Sequence, residues 1–237
     1  MKRMKKVAAG VFLLTQAASG AAFAASVTLT GNTVDYTFDD TMLGLFGPAT
    51  LSGDILSFTP VDFQAQSLNG DGFALTNSTM NIQVTAHDGW SFSTIGLAEK
   101  GGYMLLGSGS TASVGGQMRV HDVAAPLTDV TASIQSPVAL DQSGMTITNW
   151  TADASTDLSA WTGARSVNVT VQNLLLASTD AASSLAFVDK KFVGLTPTMA
   201  AAVPVPEVQS SAMMLAGLGL VGWRIRRRCV VPHPSLT

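Results

Sequence analysis

The chain has a single cysteine in 237 residues, Cys229, and it lies beyond an arginine run near the carboxyl end. The rest can form no disulfide and offers no thiol nucleophile, so its stability has to come from an ordinary packed core. Basic residues are also scarce through the middle. Between Ala25 and Pro206 there are five, Lys100, Arg119, Arg165, Lys190 and Lys191, against fifteen acids. That acidic balance argues against nucleic acid as a partner, because counterion release needs clustered Lys and Arg. Glu99 is the one glutamate of this region. The spacings H-E-x-x-H and G-x-S-x-G are absent, which removes the common sequence signatures of zinc proteases and of nucleophile-elbow hydrolases. No stretch of the middle carries an apolar stripe at helical spacing.

What is present is strongly polarised at the two ends. MKRMKKVAAGVFLLTQAASGAAFAAS starts with Lys2, Arg3, Lys5 and Lys6, continues through an apolar run from Val7 to Leu14, and ends in small residues. This is the order of a secretory signal peptide spanning residues 1–24, with Ala22 and Ala24 fitting the peptidase subsites and cleavage expected after Ala24. At the other end an apolar run from Ser211 to Trp223 separates Pro206-Glu207 from Arg224, Arg226, Arg227 and Arg228. Gly217, Gly219 and Gly222 there spell G-x-G-x-x-G. A dinucleotide turn needs a preceding strand, a following helix and an acid about twenty residues on, and no acid follows Glu207. The glycines read better as small residues on a transmembrane helix. From Val208 to Trp223 such a helix is about 24 Å long against about 30 Å of hydrocarbon, short enough to require arginine snorkelling and local thinning. Arginines beyond it place that end in the cytoplasm and the middle domain outside.

The series Val203-Pro204-Val205-Pro206-Glu207, an apolar stretch with Gly-Leu-Gly-Leu, and then the arginine cluster resembles the PEP-CTERM sorting signal of exported Gram-negative bacterial proteins. That resemblance implies processing by an exosortase and a place at the cell surface or in an exopolysaccharide-containing biofilm matrix. Pro206 and Glu207 match the first two residues of the Pro-Glu-Pro motif. Val208 stands where the third is expected, and the tail Cys229 to Thr237 extends past the usual end. The stretches SFTPVDFQAQSLNGDGFALTNST and GYMLLGSGSTASVGGQMRV are also similar to an uncharacterised domain of some members of that family.

From Ser26 to Val193 apolar or β-branched residues alternate with Ser, Thr, Asn and Gln, as in MNIQVTAH, SVNVTVQNLLL and GMTITNW. Period two predicts half-buried strands, and Gly, Asn and Asp pairs punctuate them at turn spacing. The expected fold is all-β, an antiparallel two-sheet sandwich of jelly-roll type, over residues 25–194. DGWSFSTIGLAEKGGYMLLGSGSTASVGGQMRV reads as consecutive hairpins. Residues 195–206, rich in Pro and Ala, read as a linker, since proline is excluded from central strands. Residues 207–228 form the sorting segment and 229–237 the tail.

Candidate chemistry in the middle is thin. His87-Asp88 and His121-Asp122 each end a β run, where Asp commonly serves a turn. Ser67-Leu68-Asn69-Gly70-Asp71-Gly72 resembles a calcium loop, but Ser67 and Ser78 occupy the end positions that need carboxylates. A calcium site assembled in space from Asp39, Asp40, Asp71 or Asp88 stays open. Glycoside hydrolysis would need paired carboxylates, with Glu99 and Asp39-Asp40, Asp54 or Asp62 as the available acids. Sugar recognition would use Trp90, Trp150, Trp161 and Tyr103 as stacking rings. The expectation is an exported structural protein of the surface or matrix, with no catalytic, cofactor-binding or metal residue assigned. A carbohydrate-binding module recognising exopolysaccharide is the alternative, and a glycoside hydrolase stands behind it.

Overall fold

The computed structural model describes residues 26–161 and 163–202, together with Met214 and Leu218. The signal segment with Ala22 and Ala24 lies outside these residues. So do Pro204, Pro206, Glu207, Gly217, Gly219, Gly222 and the arginines 224 and 226–228.

The described chain is all-β and every strand pairing is antiparallel. In chain order the strands are β1 (Ser26–Thr30), β2 (Val34–Asp39), β3 (Ala49–Ser52), β4 (Ile55–Phe58), β5 (Gln64–Leu68) and β6 (Gly72–Ala86), followed by β7 (Trp90–Leu106), β8 (Ser110–Asp122), β9 (Asp129–Gln135), β10 (Thr148–Asp157), β11 (Ser166–Thr179) and β12 (Leu185–Ala201). They form one nearly closed, sandwich-like sheet in the order β1-β2-β6-β11-β8-β9-β10-β7-β12-β4-β3, with β5 also paired to β12. The fold-over lies between β9 and β10, where the ladder narrows to one paired position, Gln135 with Asp153. One layer is thus built on β6, β11 and β8, the other on β10, β7 and β12.

Alternation decides which residues meet between the layers. In β11, Val167, Val169, Val171, Asn173 and Leu175 are buried; in β7, Ile95, Leu97, Glu99, Tyr103 and Leu105 are. The apolar members of both series belong to one core cluster, with Phe46 packed edge-on against Phe58 and Phe63. Such a core supplies the main driving force, at about 25 cal/mol per Å² of apolar surface removed from water.

Three details differ from the sequence reading. β7 and β8 do not form a hairpin: their partners are β10 and β12 for the first, β11 and β9 for the second, so the Gly107–Gly109 turn carries the chain from one layer to the other. GMTITNW enters a strand only at Thr148, and Met145 and Ile147 before it are exposed, because the ladder to β7 begins at Thr148 with Tyr103. Finally, the domain does not stop at residue 194. β12 runs on through Ala201, with Pro197 opposite Ile95 and Ala201 opposite Trp90. Its ladder to β4 ends at Leu195 with Leu56, so Pro197 lies past that partner, where an absent N–H interrupts no bond to β4. The stretch read as a linker over 195–206 is therefore strand up to Ala201, and residues 203–206 lie outside the described ones.

Candidate functional site

One polar cluster of the described residues is buried between the layers. Glu99 of β7 and Lys190 of β12 have side chains only 1% exposed, and Lys190 Nζ donates to Glu99 Oε2. The other carboxylate oxygen, Oε1, accepts from Asn173 Nδ2 of β11 at 2.7 Å, and Asn173 is itself fully buried. One carboxylate thus holds an amine and a carboxamide from two different layers. Asn173 Oδ1 is buried without a hydrogen-bond partner.

Aromatic rings wall this cluster. Lys190 Nζ lies 5.4 Å from the Phe63 ring centre and 5.6 Å from that of Trp150, within cation–π range. The Trp150 indole is fixed by its own N–H, which donates to the Asp189 carbonyl at 3.0 Å and the Gly102 carbonyl at 3.3 Å. It can lie this close because Gly101 has no side chain; a Cβ there would stand 1.9 Å from the Asp189 carbonyl oxygen and 2.6 Å from the indole. Burial pushes the Lys190 ammonium below the ordinary lysine range, and the charge of Glu99 opposes that only in part.

A second polar group staples the two ends of the strand order together. Asp54, in the β3–β4 turn, accepts from the Asn32 N–H at 2.6 Å, the Thr33 N–H at 2.9 Å and the Thr33 hydroxyl at 2.7 Å, all in the β1–β2 turn. Burial alone would raise the Asp54 carboxyl, but the Thr33 and Asn32 hydrogen bonds outweigh it and hold the group below the usual carboxylate range. The Tyr36 hydroxyl donates to the Asp54 carbonyl, and burial pushes that phenol well up. Beside them His87 Nε2 meets Asp35 Oδ1 at 3.0 Å, while Nδ1 faces the Asn32 carbonyl at 3.2 Å.

Both His87 ring nitrogens face acceptors, so the doubly protonated ring is favoured. The Asp35 hydrogen bond raises His87, and His87 in turn lowers Asp35. A raised histidine contributes stability that is present in full below its unfolded value, about 6.5, and is lost as pH rises through its folded value. Lowered Asp35 gives the opposite limb, lost only as pH falls through its depressed value. Replacing His87 with Gln is therefore expected to reduce the unfolding midpoint in urea more at about pH 5.5 than at about pH 9. Equal losses at both would show that the pair does not titrate as described.

Most residues singled out from the sequence are not brought together. His87 pairs with Asp35 rather than its neighbour Asp88, which bonds Arg165 at 3.2 Å. Asp122 accepts from the Ala124 N–H in the β8–β9 turn, the structural use expected of it. Ser67 of the calcium-like loop is buried, with its hydroxyl on the Gly72 carbonyl and on Thr179 Oγ1 at 2.7 Å. Among the described residues no three His, Cys, Asp or Glu side chains gather around one point. Asp71 and Asp88 flank the 15-residue strand β6 at its opposite ends, roughly 50 Å of extended chain apart, and cannot share an ion. Asp39 caps the short turn after β2 by accepting from Thr41. Glu99 and Asp54 are thus engaged separately, and Glu99 faces the core rather than an open cleft.

The aromatic candidates for sugar stacking are also turned inward. Trp150 and Tyr103 are buried, Trp161 is packed against the core, and Trp90 is half-buried. Shallow recesses remain among the described residues, two of them beside these rings and the edge strands. One of about 220 Å³ is bordered by Ser136, Leu140, Gln142 and Asn149 above Tyr103 and Trp150. The other, about 390 Å³, lies between Val27, Leu29, Phe38 and Pro48. Lys190 and Asn173 were not singled out from the sequence; the available signal was a polar residue in the inward phase of an alternating strand.

No family model matches the chain, and no curated protein matches it. Among solved structures, infectious bursal disease virus (Gt strain) is similar at 11% identity and a TM-score of 0.24, over 71% of this chain and 50% of that one. This chain thus spans half of the viral chain's length. TmCBM61, solved with beta-1,4-galactotriose, is similar at 10% identity and a TM-score of 0.19, covering 57% of this chain and 88% of that one. The Trichoderma harzianum endoglucanase 3 of family GH12 gives 12% identity and a TM-score of 0.17, over 74% and 95% of the two chains. Scores this low establish neither a common fold nor a shared ligand.

Proposed function

We propose that the chain is an exported structural protein of a bacterial cell surface or extracellular matrix, held at the membrane or released through a PEP-CTERM-like segment. The observation that carries this reading is where the strands begin and end. β1 begins at Ser26, two residues after the predicted cleavage point, and β12 ends at Ala201, just ahead of Pro204. The whole sandwich fits between the two polarised segments, so removal of either one cuts no strand. No described helix is long and apolar enough to cross a membrane.

A structural rather than enzymatic role is supported by the way polar groups are used. Asp54, Asp35, His87, Glu99, Lys190 and Asn173 bind one another and the backbone, linking layer to layer and edge to edge. The passage of β6, β7 and β8, and again of β10, β11 and β12, between the layers supports a jelly-roll type of winding. Exosortase is the processing partner on this reading, and exopolysaccharide the matrix around the protein.

Fractionation of cells producing the full chain tests the proposal. The domain is expected outside the cytoplasm, and deletion of residues 207–228 is expected to move it from the membrane fraction to the medium or periplasm. Recovery in the cytosol alone would overturn the reading.

A further inference from the structure

Glu99, Lys190 and Asn173 are an amine, a carboxamide and a carboxyl group closed in together by the core, and we propose that Lys190 and Asn173 become joined there by an intramolecular amide bond, with Glu99 as the proton-transfer group. The three come from β12, β11 and β7, and both reacting side chains touch the same carboxylate. The link would connect the two layers covalently in a domain that has no cysteine to do so.

Each obstacle to this reaction in water is addressed by the site. A lysine amine is normally protonated and so not nucleophilic; burial lowers its proton affinity and favours transfer of that proton to Glu99. An amide carbonyl is a poor electrophile until a donor polarises its oxygen. Asn173 Oδ1 has no partner, and half a turn of the amide would present it to the protonated Glu99. Hydrolysis competes only where water enters, and all three side chains are buried, with Lys190 set against the Phe63 and Trp150 rings. The reacting groups are also held in place before reaction, which replaces an encounter with a unimolecular step. Gly116 helps to bring β8 against Asn173: a Cβ there would stand 2.2 Å from the Gln172 carbonyl oxygen and 3.1 Å from Asn173 Oδ1.

The step balances without an oxidant or a co-reactant. The Lys190 ammonium gives one proton to the Glu99 carboxylate. Neutral Nζ adds to Asn173 Cγ, forming the Nζ–Cγ bond, while Glu99 donates its proton to the carbonyl oxygen. Glu99 then takes a proton from Nζ and passes it to Nδ2. The Cγ–Nδ2 bond breaks, the nitrogen leaves as ammonia, and the carbonyl re-forms as its hydroxyl proton returns to Glu99. The products are a secondary amide, one ammonia and a neutral Glu99 carboxyl, so the ion pair is gone from the core.

The test uses the full chain, purified and denatured, in a mass spectrometer. Its mass is expected to fall below the sequence value, after allowing for its observed ends, by one ammonia. Succinimide formation at Asn69-Gly70 would also lose ammonia, so the position decides. Cleavage before aspartates cuts at Asp180 and Asp189, between the two residues. The fragments holding Asn173 and Lys190 are expected to stay joined, and their separation at unmodified mass would overturn the proposal. Glu99→Gln is expected to leave the fragments separate in a protein that retains its β-sheet spectrum; joined fragments would remove Glu99 from the mechanism. Should that variant not fold, Glu99→Asp keeps the acid on a shorter arm. Its link is then expected to form several-fold more slowly than in the unchanged chain, and an unchanged rate would again remove Glu99.

Discussion

Replacing Glu99 with alanine is expected to destabilise the sandwich by about 3–5 kcal/mol, the cost of removing one partner from a buried charge pair. The mechanism is specific to this position. Lys190 would keep its place between Phe63 and Trp150 with no counter-charge, and Asn173 Nδ2 would join Oδ1 in having no hydrogen-bond partner. An uncompensated ammonium in the core must either shed its proton or draw in water, and each route costs several kcal/mol. For a domain of this size the thermal midpoint falls by about 2–4 °C per kcal/mol, so a decrease on the order of 10 °C should be visible in a melting curve. Lys190→Met removes the other partner and strands the Glu99 carboxylate, with a loss of similar size. If the proposed amide forms, both variants also lose its constraint, worth about 3 kcal/mol for a loop of this length. A loss below about 1 kcal/mol in either variant would show that the cluster does not hold the layers together.

Trp150→Ala is expected to cost about 3–5 kcal/mol as well, through the transfer and cavity terms of a buried aromatic side chain. Its indole is 4% exposed, fills the space over Gly101 and donates to two carbonyls, those of Asp189 and Gly102. This outcome separates two roles for the same residue. A tryptophan serving as a sugar platform is exposed, and its loss removes binding while leaving the fold intact. A tryptophan serving as a wall of the Lys190 site is needed for folding. Urea unfolding of the variant reads the difference; a midpoint equal to that of the unchanged protein would return Trp150 to the list of surface candidates.

The fold was legible where alternation met a real neighbour. MNIQVTAH, as far as Ala86, and SVNVTVQNLLL lie in β6 and β11, which pair with one another along their whole shared length, so inward valines and outward polar residues follow the pleat. The same signal misled at Met145 and Ile147, which alternate correctly but precede the ladder to β7, whose first pair is Thr148 with Tyr103. Pairing partners were not legible. Short glycine turns suggest hairpins, and nothing in Gly107-Ser108-Gly109 says that the chain turns across the core instead of along the sheet.

The site was harder still. Asn173 occupies the inward phase of β11, but Asn among Ser, Thr and Gln reads as one more solvent-facing residue. Lys190 and Lys191 are adjacent, so alternation alone sends one in and one out without saying which, and a register shift between Lys190 and Phe192 resets the phase at that point. Glu99 did stand out as the one glutamate of the domain. Its partners lie 74 and 91 residues away and become visible only once the layers are stacked.

Export is the central claim, and the most direct test is the amino-terminal residue of the protein recovered from outside the cytoplasm. The account predicts Ala25, one residue before β1, in a molecule whose sandwich is intact. Material that begins at Met1, found only in the cytosol, would contradict it.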